Sequence, residues 1–487
     1  MVLASAGTST TKGKLHMMRK KYLAGASGTL AVAVALSGCT AQGNTTATDS
    51  MRNADAKQVT LTITSNAVSG GKNTVEADWI TDYVIPTFEA AQKAKGVDTT
   101  VKFNPNGVDD EQYKTKISLD LSTGGGGDIV SLDGIWFGEF ADADYIEPLD
   151  DVVGKDVVAA WDGWDQIKPA VQQLTSYEGD RYGIPDGTDG RILYFNKTLF
   201  AKAGLPTTWQ PTNWDEILGA ARKLAALDGV TPLQINAGTA MGEATAMQGL
   251  EPLLVGTGEP VWKDGKWQGA SDGMTSALDF YSAVYGSEKL GDPLLQQEAK
   301  GRDKTFEMFA NNKLGIMIES DYLWRSVINP DIGTAPMADR DTAVGYALIP
   351  AQKPGAGVNG QDYVSMSGGS GRVLNPGTKY PQQAFELLSF MASADALKEK
   401  LGSTPQISAR DDVNAELLTS DPLLAFVAAK VLPVTSYRPS LSEYTQVSSA
   451  MQDATAAIVG GTSAADAAKA YEETLEGIVG GSGNIFN

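Results

Sequence analysis

Apolar and β-branched residues alternate with threonine from Val59 to Ile63, which predicts a strand. The period then changes. Ile80, Val84, Phe88 and Ala91 recur at helical spacing, with Asn73 and Glu76 placed as a capping box and Pro86 as a kink. Val101 to Phe103 predicts a second strand, and residues 109–122 a second helix with Tyr113, Ile117 and Leu121 inward. Gly124 to Gly127 end that helix before a third strand at 128–132. This βαβαβ order predicts a parallel sheet. Ligands on such sheets sit beyond the carboxyl ends of the strands, which here puts Ser65, Asn66, Asp133 and Trp136 at one rim. The glycine run is no phosphate loop, because no Lys-Ser/Thr follows it and its helix precedes it.

The stretch from Arg181 to Leu205 is the organising segment of the chain. Tyr182 to Pro185 reads as extended, Asp186 to Gly190 as a polar turn, and Ile192 to Phe195 as a buried strand. Asn196 and Thr198 are placed to cap a short helix that Gly204 and Pro206 stop. Further on, a helix begins near Trp214, and strands are predicted at 231–235 and 315–318. Asp264-Gly265 between Trp262 and Trp267 predicts a hairpin. Helices are expected at 274–285, 382–401, 446–459 and 464–479.

Composition narrows the chemistry. The formal charge is −20, and residues 1–38 carry five bases and no acid, so the chain without them stands at −25. That argues against nucleic acid as a partner. The one histidine, His16, and the one cysteine, Cys39, lie at the amino terminus. Beyond Cys39 the chain therefore cannot build a Ser-His-Asp or Cys-His nucleophile, the usual zinc sites or a disulfide. No cofactor and no metal are expected. A carboxylate pair is the main hydrolytic device left, which keeps a glycosidase in view.

Residues 1–38 have a basic start, a short apolar run from Leu23 to Leu36 and small residues before Cys39, the pattern of a signal peptide. Leu36-Ser37-Gly38-Cys39 resembles a bacterial lipobox, which implies lipidation of Cys39. Residues 39–57 are small and polar and are expected to form a flexible tether. About 430 residues follow, enough for two lobes of ordinary size.

Tyr182 to Pro185, Leu193 to Lys197, Leu199 to Phe200, Ala203 to Pro206 and Trp214 to Glu216 together resemble the crossover segment of the family 1 extracellular solute-binding proteins. Phe306 to Ser320, Val344 to Pro350, Val364 to Val373 and Gly402 to Pro405 resemble further segments of that family, so the likeness spans residues 58–487. The resemblance implies an α/β, two-lobe periplasmic-binding-protein-like fold (type II). Each lobe would be a mainly parallel sheet flanked by helices, with crossings near 186–190, 318–321 and 367–373. The implied lobes are 58–186 plus 320–368, and 187–319 plus 369–487. It further implies a monomeric, maltose-binding-protein-like lipoprotein that captures a neutral sugar and passes it to ABC permease subunits. The location implied is the outer face of a Gram-positive cell membrane.

A sugar needs planar hydrogen-bonding groups for its hydroxyls and aromatic faces for its C–H surfaces. The expected contacts are Asn66, Asp133 and Trp136 at the strand exits, and Asp186 and Asp189 at the first crossing. Glu319, Asp321 and Trp324 follow the second signature, and Tyr437 and Arg438 lie in a proline-bounded segment. Trp262 and Trp267 would line the rim or merely staple their hairpin. The competing function is a surface glycosidase, which would place two carboxylates across a sugar site.

Overall fold

The alternation at 59–63 folds as expected, and its strand lies inside the first sheet, paired on both sides. In the computed structural model, which describes residues 49–487 apart from positions 109 and 403, Gln58–Ser65 runs parallel to Asp98–Pro105 on one side and to Ile129–Asp133 on the other. Gly369–Leu374 lies antiparallel against Ile129–Asp133, and Gly183–Thr188 closes that edge. Successive side chains leave a strand on opposite faces. Ile129 thus joins a core with Leu61, Ile63 and Val101, while Val130 and Leu132 join another with Tyr113, Ile117 and Phe140.

The second sheet has the order Val344–Ala347, Arg191–Asn196, Leu314–Ser320, Thr231–Gln234. Its central strand Arg191–Asn196 is buried along its whole length, because Leu193 and Phe195 face one core and Ile192 and Tyr194 the other. This sheet departs from the mainly parallel pattern expected. Arg191–Asn196 runs antiparallel to both of its neighbours, and only Thr231–Gln234 pairs in parallel with Leu314–Ser320.

Strand pairing also divides the chain differently from the expected lobes. Gly369–Leu374 belongs to the first sheet, and most buried apolar side chains from Ala384 to Leu432 pack into the core beneath it. Val344–Ala347 belongs to the second sheet. Residue 368 is therefore where the chain returns to the first lobe, not where it leaves. Thr435–Tyr437 then pairs with Tyr363–Ser367, so the chain makes a further passage near 433–435.

Other local expectations need correction. Asn73 is not a side-chain cap: its φ is 50°, and its amide donates to the Asn66 carbonyl. The predicted helix 382–401 is two, Pro381–Met391 and Ala394–Leu401, because Ser393 caps a fresh start by accepting from Ala396 N. The hairpin forms around Asp264 (φ 52°) and Gly265 (φ 77°), with the Trp262 and Trp267 rings 4.9 Å apart. Trp267 is core and Trp262 half-buried, so the pair staples the turn. The far end of the expected tether is fastened: Asn53 donates to the Lys379 carbonyl, and Gln382 and Gln383 donate to the carbonyls of Ser50, Asn53 and Ala54. The signal peptide, Cys39 and the start of the tether lie outside the described residues. Among the described residues no helix is long and apolar enough to cross a membrane.

The passage after Tyr437 is strapped to the first lobe. Ser440 Oγ donates to the Gly134 carbonyl and accepts from Gly138 N, and a Cβ at Gly138 would lie 1.3 Å from the Ser440 carbonyl oxygen. Gly138→Ala should therefore push the strap off helix Phe137–Asp142. A loss of about 1–3 kcal/mol is expected, as for other overpacked sites, and urea unfolding of variant and parent measures it.

Candidate functional site

The carboxyl ends of Gln58–Ser65 and Ile129–Asp133 open into a cavity of about 430 Å³. Residues 186–189 at the first crossing form one wall, and Arg325, Lys400 and Ile407 contribute to another. The size falls within the range of small-molecule sites. Of the residues singled out in the sequence, Asn66, Asp133, Trp136, Asp186 and Asp189 all line it.

A four-charge cluster borders the cavity, three of its members, Glu76, Asp186 and Lys400, lining it. Arg372 lies 2.5 Å from Asp186 and 3.2 Å from Glu76, and Lys400 lies 2.6 Å from Asp186 and 3.6 Å from Glu76. Both cations sit over the Trp79 ring, and Ser65 Oγ donates to Glu76. Burial alone would raise the two carboxyl pKa values. Lys400 and Arg372 outweigh it and hold both groups below the ordinary carboxylate range, so both carboxylates are ionised at neutral pH. Arg372 is pushed up in turn, its two acid partners outweighing its own burial. Buried charge of this kind survives only if every member keeps its partners.

Beside the cluster, the side chains offer acceptors and one apolar wall. Asp133 Oδ1 accepts from Ile135 N, and burial raises its pKa against the pull of Arg438. Asn66 is buried and spends its amide on Val108 and Asp110, donating to Val108 O and the Asp110 carboxylate and accepting from Val108 N. It shapes the wall as well as lining it. Trp136 presents only a small part of its ring, which packs beside Tyr113 at 6.4 Å.

The crossings meet beside the cavity. Asp189 pairs with Arg191 and accepts from Gly368 N at 2.7 Å, and Thr188 Oγ1 donates to the Gly368 carbonyl. Asp321 Oδ1 accepts from Gly190 N, and its other oxygen takes Arg325 at 3.0 Å. Asp321 is thus a buried fastener of the crossing, in contact with a lining residue rather than lining the cavity itself. Glu319 and Trp324 are not at the cavity. Glu319 is fully buried and bidentate to Arg302, because the strand carries it to the face away from the cleft. Trp324 donates to Asp421 and lies under Arg340. Tyr437 stands one layer behind, its hydroxyl 3.0 Å from Thr188 Oγ1, and Arg438 lies between Glu243 at 3.0 Å and Asp133 at 4.0 Å.

Sequence reasoning missed Glu76, Arg372, Lys400 and Arg325. Arg372 had a signal, a lone cation in the apolar run Gly371 to Leu374. Glu76 was misread as a cap partner. Nothing local distinguishes Lys400 from Lys398, the other lysine of its helix.

The family model described as bacterial extracellular solute-binding protein matches residues 72–398. A putative binding protein of Brucella abortus is 25% identical over 349 residues, covering 70% of this chain and 74% of that protein. A mannitol-binding protein of Pseudomonas aeruginosa is 27% identical over 191 residues, covering 39% of this chain and 41% of that one. Among solved structures, a solute-binding protein of Thermotoga lettingae bound with α-D-tagatose superposes with a TM-score of 0.62 at 24% identity, covering 86% and 99% of the two chains. The cyclic α-maltosyl-1,6-maltose binding protein of Arthrobacter globiformis gives 0.67 at 19% identity, covering 86% and 99%. These neighbours share the two-lobe, type II periplasmic-binding-protein fold.

Replacing Arg372 with Met would leave Glu76 and Asp186 to Lys400 alone. A loss of about 3–5 kcal/mol is expected in denaturant unfolding. The pH dependence follows from the same cluster. Both folded pKa values lie below the unfolded ones, so the unfolded chain binds protons first. The stabilisation is complete above the ordinary carboxylate range and is lost as the pH falls through the lowered values. Melting temperature against pH should drop on the acid side, and less steeply in Asp186→Asn.

Proposed function

Because the chain belongs to the bacterial extracellular solute-binding proteins, we propose that it captures a neutral sugar or oligosaccharide between its lobes and delivers it to an ABC permease. In this reading Cys39 carries the lipid anchor, and the body works on the outer face of a Gram-positive cell membrane, leashed by the residues that follow. The observation that carries the reading is the cavity itself. It lies at the strand ends beside the lobe crossings and combines fixed acceptors with an aromatic edge.

Asp133, Asp186 and Asp189 are the proposed acceptors for sugar hydroxyls, and Trp136 the surface for a C–H face. Asn66 holds Asp110, which lines the cavity beside it. Tyr437 and Arg438 are assigned to the rear of the site, where they join the lobes. The relative named as a mannitol-binding protein favours a polyhydroxylated ligand. Contacts to both lobes would let the ligand stabilise the closed form, since only differential contacts shift such an equilibrium. The competing glycosidase needs a protonated carboxyl facing an ionised one. Glu76 and Asp186 are both held ionised by the same two cations, which favours binding over hydrolysis at this cluster.

Calorimetric titration against a panel of neutral oligosaccharides, with product analysis of each mixture, tests the reading. Saturable 1:1 binding with the sugar recovered intact is expected. Trp136→Ala should weaken the best ligand by about tenfold or more, the loss typical of a central aromatic contact. Cleaved sugar would overturn the reading.

A further inference from the structure

Behind the cavity, one hydroxyl stands between two carboxyl groups. Tyr444 Oη lies 2.7 Å from Glu243 Oε1 and 2.8 Å from Glu251 Oε1. A tyrosine hydroxyl has one proton to give. If both glutamates were ionised, one of these short contacts would set lone pairs against lone pairs. The geometry therefore requires a second proton, and the surroundings place it. Glu243 already takes Arg438 at 3.0 Å and the Ser448 hydroxyl, which leaves Glu251 as the place for the second proton. Glu251 is 1% exposed, and its Oε2 has no partner among the described residues. The chain then reads: the Glu251 carboxyl donates to Tyr444, Tyr444 donates to Glu243, and Glu243 accepts from Arg438.

Arg438 spans the two lobes. Glu243 and Glu251 stand on the second, and Asp133 at the end of a first-lobe strand lies 4.0 Å from the other side of its guanidinium. The backbone around Arg438 is fixed on both sides, by pairing of Thr435–Tyr437 with Tyr363–Ser367 and by the Ser440 strap. Its Nε is buried and has no partner among the described residues, so the side chain has donor capacity left for a shift.

We propose that proton uptake by Glu251 draws the two lobes together, with Arg438 carrying the effect from the Glu243–Tyr444–Glu251 chain to Asp133. When Glu251 is neutral, Arg438 faces one anion on the second lobe and is free to close on Asp133. When Glu251 ionises, two anions share one hydroxyl there, and the guanidinium is drawn back toward them. The charged and titratable groups facing Glu251 are Glu243, Arg438, Tyr444, Arg191 and, on the last long helix, Tyr471. Burial and Glu243 push the Glu251 pKa up to about 7, above what Arg438, Tyr444 and Arg191 offset, so the transition falls near neutral pH.

The inference rests on the reading of the cleft as one that closes, and its test uses no sugar, so its failure is separate from a failure to bind carbohydrate. Spin labels at positions 119 and 294, both two-thirds exposed and on different lobes, report the interlobe distance in full-length protein carrying Cys39→Ser. Between pH 8.5 and 5.5 the population is expected to shift toward shorter distances, half-complete near pH 7. Glu251→Gln should keep the shorter distance throughout. Asp133→Asn, which leaves the buried chain intact, should keep the longer one. An unchanging distance in the parent protein, or an unaltered pH profile in Glu251→Gln, overturns the proposal. If Glu251→Gln does not fold, as circular dichroism would reveal, Asp133→Asn decides: a pH shift equal to the parent's overturns it.

Discussion

The structure depends on the buried cluster of Glu76, Arg372, Asp186 and Lys400. Its members come from the first helix, the strand entering the first crossing, the strand leaving the return crossing and a late helix. No two of them are near neighbours in sequence. Ions out of water hold their charge only through one another, so all four segments must be in place before any is satisfied. Glu76, Asp186 and Lys400 also line the cavity, and the site is thereby built on the feature that closes the first lobe. Ionised partners also leave this lining polar but without a mobile proton, which suits holding a hydroxylated ligand better than cleaving it.

The crossings are tied to one another rather than left as free linkers. Asp189 holds Gly368 N, Thr188 holds the Gly368 carbonyl, and Asp321 holds Gly190 N. Bonds of this kind permit a hinge of small amplitude and resist a free swivel, because any large rotation would strand buried polar groups. The Ser440 strap adds a contact on the far side of the sheet from the charge cluster. Arg438 sits between these restraints, at a position where small changes of charge act on both lobes.

The sequence by itself determined most of the elements and the fold class. Periodicity is a local property, and the switch from period two to helical spacing located the first three strands and their helices. The buried strand at 192–195 was legible because it is apolar on both faces, as a central strand must be. The strand-end rule placed Asn66, Asp133 and Trp136 at the cavity, and a match of spaced motifs added Asp186 and Asp189. Hydrogen-bonding turns were legible where the backbone demanded special residues, as at Asp264 and Gly265.

Tertiary structure alone decided the rest. Whether Gly369–Leu374 belongs to the first sheet depends on pairing with strands far away in sequence, which no local pattern encodes. Glu319 looked like a cleft residue by its place after a signature, yet strand alternation turned it toward Arg302. Glu76 looked like a helix cap, yet two distant cations claimed it. Lys400 and the proton shared among Glu243, Tyr444 and Glu251 had no signal at all, because partners separated by many residues meet only in three dimensions. Local periodicity is written along the chain, whereas charge pairing and proton sharing are set by distance across it.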